Sequence, residues 1–160
     1  MCIRDSNSIG RFLLKLGRRD SFRENPILVI VDEAHQFLNK SLSVEGQDNR
    51  LDSFALIAKE GRKYSLNVCL ATQRPRDIPE GVLSQMGTLL VHRLTNDLDR
   101  HMIERASGDI DNASVQSIPS LTPGQGIIMG VDFPMPLHVQ VKAPDKKPHS
   151  RGPDFQSFWK

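Results

Sequence analysis

Two acidic residues follow directly on an apolar run in Ile27-Leu28-Val29-Ile30-Val31-Asp32-Glu33-Ala34-His35. The unbroken aliphatic run reads as a strand buried on both faces, as in a parallel sheet, and the acids end it abruptly. Carboxylates at the C-terminal edge of such a strand lie where open α/β sheets bind ligands. Adjacent side chains at a strand end point in different directions. One acid can therefore hold Mg2+, directly or through water, while the other orients a water that attacks a γ-phosphate. A buried strand that simply ends in solvated acids is the plainer alternative. His35, just after the acids, reads equally as a contact to the same site and as a polar residue that starts a helix.

A second apolar run, Leu66-Asn67-Val68-Cys69-Leu70-Ala71, ends in Thr72-Gln73-Arg74-Pro75. The Gln73 amide donates and accepts at once, which suits a group that senses water or a γ-phosphate. An ordinary strand-to-turn transition explains the same residues. A third segment, Lys59-Glu60-Gly61-Arg62-Lys63-Tyr64, closes a helical pattern. An arginine there can stabilise charge on a transferring phosphoryl group, including one held by a neighbouring subunit. Cations at a helix C-terminus are also favourable in themselves.

Alternating strands and helices must position these groups. Helical spacing marks Ile9–Leu16, Leu51–Lys63 with Asp48 or Asn49 as cap, Pro79–Met86, and Asp97–Ala106 with Thr95 or Asn96 as cap and a stop near Gly108. Strands are expected at Ile27–Val31, Leu66–Ala71, Thr88–Val91, Ile127–Met129 and Leu137–Val141, the last two close enough to form a hairpin. Lys40–Arg50 reads as a loop. The pattern specifies an α/β fold with a mainly parallel sheet and a late β-hairpin.

The chain has 160 residues, enough for one domain with a real core, and a net charge of +2. That excess permits an acidic partner but does not argue for one. No apolar run approaches membrane-spanning length, and no long apolar stretch at the N-terminus reads as a signal peptide, so the expectation is a cytoplasmic protein that engages no membrane. Cys2 and Cys69 form no metal pattern, and Cys69 within its apolar run reads as a small core residue. His92, His101, His138 and His149 show no metal spacing. Arg11, Lys15, Arg18, Arg19 and Arg23 form a basic segment, read first as a solvated helix face and second as a DNA-phosphate contact.

In order along the chain, the strand ending Asp32-Glu33, the helix ending Glu60-Gly61-Arg62-Lys63, the strand ending Ala71-Thr72-Gln73-Arg74-Pro75, then Val82-Leu83-Ser84-Gln85-Met86 and Leu90-Val91-His92-Arg93-Leu94-Thr95-Asn96 resemble the HerA family. That family lies within the HerA/FtsK group of P-loop DNA translocases. Pro123-Gly124-Gln125-Gly126-Ile127-Ile128-Met129-Gly130 and Phe133-Pro134 are similar to its late hairpin, so the likeness runs from about Ile27 to Val141. The resemblance implies a partial RecA-like P-loop NTPase core and an ATP-driven motor, with ATP and Mg2+ as cofactors. It further implies a homo-hexamer on double-stranded DNA, working with a partner nuclease in end processing or serving in defence. By the same resemblance Asp32 is the Walker B acid that holds Mg2+ and Glu33 the catalytic acid. Gln73 is the nucleotide sensor, and Arg62 acts across a subunit interface, with Arg74 and Lys63 as substitutes.

The sequence contains no G-x-x-x-x-G-K-[ST] phosphate loop. Residues 1–6 then read as a non-native or frayed terminus, 7–143 as the C-terminal part of the ATPase domain, and 144–160 as a loosely ordered tail. In RecA-like sheets the first strand separates the fourth and fifth, so a break or a foreign pairing is expected between Leu66–Ala71 and Thr88–Val91. Three other readings stand beside this one. A superfamily 2 helicase shares Asp32-Glu33-Ala34-His35 but would carry Ser-Ala-Thr where Ala71-Thr72-Gln73 stands. A secretion, conjugation or FtsK-like pump shares the core. A non-catalytic assembly module would keep the fold without the acids.

Overall fold

A computed structural model describes residues 3–38, 53–108 and 112–146. Cys2, the expected loop with Asp48 and Asn49, His149 and Trp159 lie outside the described residues.

The first helix, α1 (Ile3–Gly17), starts six residues before the expected Ile9. No proline or glycine stands between Ile3 and Ile9, so nothing halts the helix there, and residues 3–6, read on sequence as a terminus, form its first turn. Its buried side packs on α2 (Ser53–Glu60). The helices approach closely at Gly10, where a Cβ would collide with the Ser53 side chain, and the Asn7 Oδ1 accepts a bond from the Ser53 N–H at 3.2 Å.

Strand β1 (Ile27–Val31) pairs in parallel with β2 (Leu66–Leu70) in the register Ile27↔Leu66 to Val31↔Leu70. A short 3-10 turn, Gly61–Tyr64, joins α2 to β2. Gly61 is required there, because a Cβ would collide with the Leu66 carbonyl. A second sheet runs β3-β4-β5, all antiparallel, from β3 (Thr88–Val91), β4 (Gln125–Gly130) and β5 (Leu137–Gln140). The expected hairpin is β4–β5, while among the described residues parallel pairing is confined to β1–β2 and the larger sheet is antiparallel, so the expected mainly parallel sheet is present only as that pair. Among the described residues β2 and β3 are not paired, which is the expected break. A cleft of about 360 Å³ lies there, lined by Asn67 and Val68 on one side and Gly87 and Thr88 on the other.

Two expectations about burial are corrected. Leu28 and Ile30 are 58% and 69% exposed, so β1 is not buried on both faces. Cys69, the register partner of Ile30, is exposed rather than a core residue. Parallel partners share a face, and among the described residues the helices α1 and α2 cover only the other one.

Two apolar clusters result. One gathers Leu14, Phe22, Phe54, Ile57, Leu66, Ile78 and Met102 around the parallel pair. The other gathers Val91, Ile103, Val115, Ile118, Ile127 and Met129 on the antiparallel sheet. Helix α4 (Asp97–Ser107) ties them together, since its neighbours Met102 and Ile103 enter different clusters. Its cap is Asn96, whose Oδ1 accepts from the Leu98 N–H at 2.9 Å and the Asp99 N–H at 3.4 Å. The buried Asp99 accepts from the Arg76 N–H at 3.1 Å, which anchors the 3-10 turn Pro75–Asp77 after β2. Glu80–Leu83 forms the short α3 expected near Pro79. A further helix, α5 (Asn112–Ser117), was not expected from its polar residues; burial of Val115 and Ile118 settles it.

Replacing Asn96 with Ala removes the side-chain acceptor for two N–H groups of the first turn. It should cost about 1 kcal/mol, read as a lower urea midpoint at unchanged slope. Ile127→Ala, fully buried in the second cluster, should cost about 2–5 kcal/mol. If Asn96→Ala left the midpoint unmoved, the cap would not be holding α4.

Candidate functional site

The parallel register sets the ends of β1 and β2 side by side, so the residues after each strand meet at one edge. The backbone is stitched there: the Ala71 N–H donates to the Val31 carbonyl and the Ala34 N–H to the Ala71 carbonyl, both at 2.9 Å. Ala34–Gln36 then forms a 3-10 turn beneath the edge, with Ala34 fully buried.

Three of the residues singled out on sequence come together here. The Gln73 Nε2 donates to the Glu33 Oε1 at 2.8 Å, although the two are forty residues apart. Asp32 stands beside them, exposed, with its Oδ1 accepting from the Glu33 N–H at 2.9 Å. Glu33 itself is left-handed, at φ 50 and ψ 44. That conformation costs a non-glycine residue of order 1 kcal/mol and persists only where the surroundings impose it. The imposing contacts are the Asp32 side chain and the turn that begins at Ala34.

Two residues with no definite role on sequence, His35 and Thr72, complete the cluster. The His35 Nδ1 lies 3.1 Å from the Thr72 Oγ1 and 3.4 Å from the Glu33 Oε2. His35 lies within the 3-10 turn Ala34–Gln36, as a polar residue at a helix start would, and its side chain also contacts Thr72 and Glu33. The Thr72 Oγ1 also accepts from the Arg74 N–H at 3.0 Å. The only sequence signal for Thr72 was a hydroxyl at the strand end next to Gln73.

Arg62 is not part of this cluster. It sits before β2, in the 3-10 turn at the other end of the strands, on the rim of the cleft between β2 and β3. A five-residue strand separates the two ends, about 13 Å at 3.3 Å per residue. Lys63 is exposed in the same turn, and Arg74 is on the Glu33 side but ion-paired to Asp77 at 3.0 Å. Arg11 and Lys15 of α1, with Arg18 and Arg19 just after it, line a shallow depression together with Leu14 and Leu56, and Arg18 pairs with Glu60 at 3.4 Å.

The donor set suits a hard cation shared with phosphate. Asp32 offers one exposed carboxylate beside the Glu33 side chain. Mg2+ binds in that way, through one or two carboxylates with the remaining positions left to water and nucleotide oxygens. Among the described residues no helix is long and apolar enough to cross a membrane.

No family model matches the chain. It is 36% identical over 122 residues to a probable helicase of Methanocaldococcus jannaschii, covering 76% of this chain and 23% of that protein. It is 33% identical over 117 residues to the DNA double-strand break repair helicase HerA of Pyrococcus furiosus, covering 72% and 20%. The chain thus spans about a quarter or less of the length of these curated relatives. Among solved structures it is similar to the genome packaging NTPase B204 of Sulfolobus turreted icosahedral virus 2 in complex with ATP-gammaS. The TM-score is 0.62 at 16% identity, over 83% of this chain and 62% of the other, a likeness of fold.

Glu33→Gly removes the left-handed penalty along with an exposed side chain. It should leave the protein as stable or more stable, by up to about 1 kcal/mol, in thermal unfolding. A clear drop in the midpoint would mean that the Gln73 and His35 contacts outweigh the backbone strain.

Proposed function

Because this chain is HerA-like over most of its length, we propose that it is part of an ATP-driven DNA translocase or helicase motor. The observation that carries the proposal is the 2.8 Å contact between Gln73 and Glu33, beside Asp32, at the C-terminal edge of a parallel strand pair. Asp32 would hold Mg2+, which when bound supplies positive charge against the nucleotide phosphates. Glu33 orients the attacking water and takes up its proton. Gln73, touching Glu33 through its amide N–H, keeps a carbonyl with which to register water, and its amide can report on the γ-phosphate. A non-catalytic module has no use for two acids and an amide held together in this way, at a residue that bears backbone strain.

Arg62 fits this scheme only from a neighbouring subunit. About 13 Å of strand separates it from Glu33 in its own chain, so its guanidinium serves a second copy in a ring. A homo-hexamer encircling double-stranded DNA, in the cytoplasm and with a partner nuclease, is the assembly that the family likeness supports; a secretion or chromosome pump is the neighbouring alternative.

The phosphate loop that would neutralise the nucleotide is not among these residues. The 160-residue chain alone should therefore release no phosphate from ATP above background. In the full-length protein Glu33→Gln should lower the turnover number about 100-fold or more while ATP binding persists. Unchanged turnover would remove Glu33 from the mechanism. Arg62→Ala and Glu33→Gln subunits, each inactive alone, should recover ATPase activity when mixed, because some interfaces then carry both intact groups. No recovery would place Arg62 outside the site.

A further inference from the structure

Each oxygen of the Glu33 carboxylate faces a different side chain. Oε1 accepts from the Gln73 amide at 2.8 Å, and Oε2 lies 3.4 Å from the His35 Nδ1. A carboxylate only accepts, so His35 donates toward Oε2 only in a form that carries a hydrogen on Nδ1, the atom that also stands 3.1 Å from the Thr72 Oγ1. Thr72 is itself fixed, because its Oγ1 accepts from the Arg74 N–H at 3.0 Å. The His35 ring is 15% exposed and rides on the turn that is bonded to the end of β2. The Gln73 amide thus bonds one carboxylate oxygen, and the His35 ring stands against the other.

Such contacts add little stability. Glu33 is 38% exposed at the sheet edge, and partly solvated ion pairs contribute weakly. Their effect is on direction. A carboxylate held at one oxygen still swings about its side-chain torsions, and one held at both presents a defined lone pair to a water.

We propose that His35, braced by Thr72, is a positioning residue for Glu33, setting the carboxylate orientation in which it engages water. The proposal rests on the reading of Glu33 as the hydrolytic acid. His35 touches neither water nor phosphate in this role and acts through Glu33 alone.

The test is steady-state ATPase in the full-length protein, with thermal midpoints measured alongside. His35→Ala should lower the turnover number by about 10- to 100-fold, up to the scale expected of a misaligned catalytic group, with the KM for ATP within about twofold and the midpoint nearly unchanged. His35→Asn, whose amide N–H can stand where Nδ1–H stands, should retain most of the rate. Thr72→Val should behave like His35→Ala and Thr72→Ser like the native protein. Adding His35→Ala to Glu33→Gln should slow turnover no further, since a residue acting through Glu33 has nothing left to orient. A native turnover number in His35→Ala, or an independent loss on top of Glu33→Gln, overturns the proposal while leaving Glu33 as the acid. Native turnover in Glu33→Gln overturns both. Should His35→Ala not fold, the two Thr72 variants decide: a native rate in Thr72→Val rejects the brace, and a selective fall rescued by Ser upholds it.

Discussion

The parallel pairing of Ile27↔Leu66 through Val31↔Leu70 places everything else at the site. Side chains alternate along a strand, so a slip of one residue would turn Leu66 and Val31 away from the core and move Gln73 off Glu33. The register is held by the packing behind it. Leu66, Ile57 and Ala34 are almost wholly buried under α2 and the 3-10 turn, and Gly61 lets the chain pass the Leu66 carbonyl on its way into β2. The contact between Glu33 and Gln73 is thus a consequence of apolar packing some distance from either polar group.

The same packing explains how the two sheets are joined although no strand of one pairs with a strand of the other among the described residues. Helix α4 sends Met102 into one cluster and Ile103 into the other, and Asp99 reaches the turn after Gln73. Asn96 holds the first turn of that helix. A mechanical link therefore runs from the antiparallel sheet, through α4 and the Pro75–Asp77 turn, to the Gln73 edge of β2.

Glu33 shows how local preference yields to a site. Its left-handed backbone is unfavourable for a glutamate, yet the Asp32 side chain bonds its N–H and the turn from Ala34 fixes the backbone on its other side. Placing the acid two residues beyond the strand, in a left-handed conformation, lets its carboxylate meet Gln73 after β2. Arg62, at the far end of the same strands, is separated from it by the strand length itself.

Much of this was legible in the residues. The apolar run before Asp32 and Glu33, the second run before Gln73, the Asn96 cap and the β4–β5 hairpin are all short-range patterns, and short-range patterns survive folding because backbone preference and side-chain alternation act within a few residues. The start of α1, the helix Asn112–Ser117, the exposure of Leu28, Ile30 and Cys69, and the contacts of His35 with Thr72 and Glu33 were not. Exposure depends on which faces the helices cover, and the His35–Thr72–Glu33 cluster joins residues 37 apart through a strand register that no local spacing encodes. The sequence by itself determined which groups are available for chemistry and at which strand ends they sit. Only the tertiary structure decided which of them touch, because contact between two strand ends is set by the packing behind the sheet.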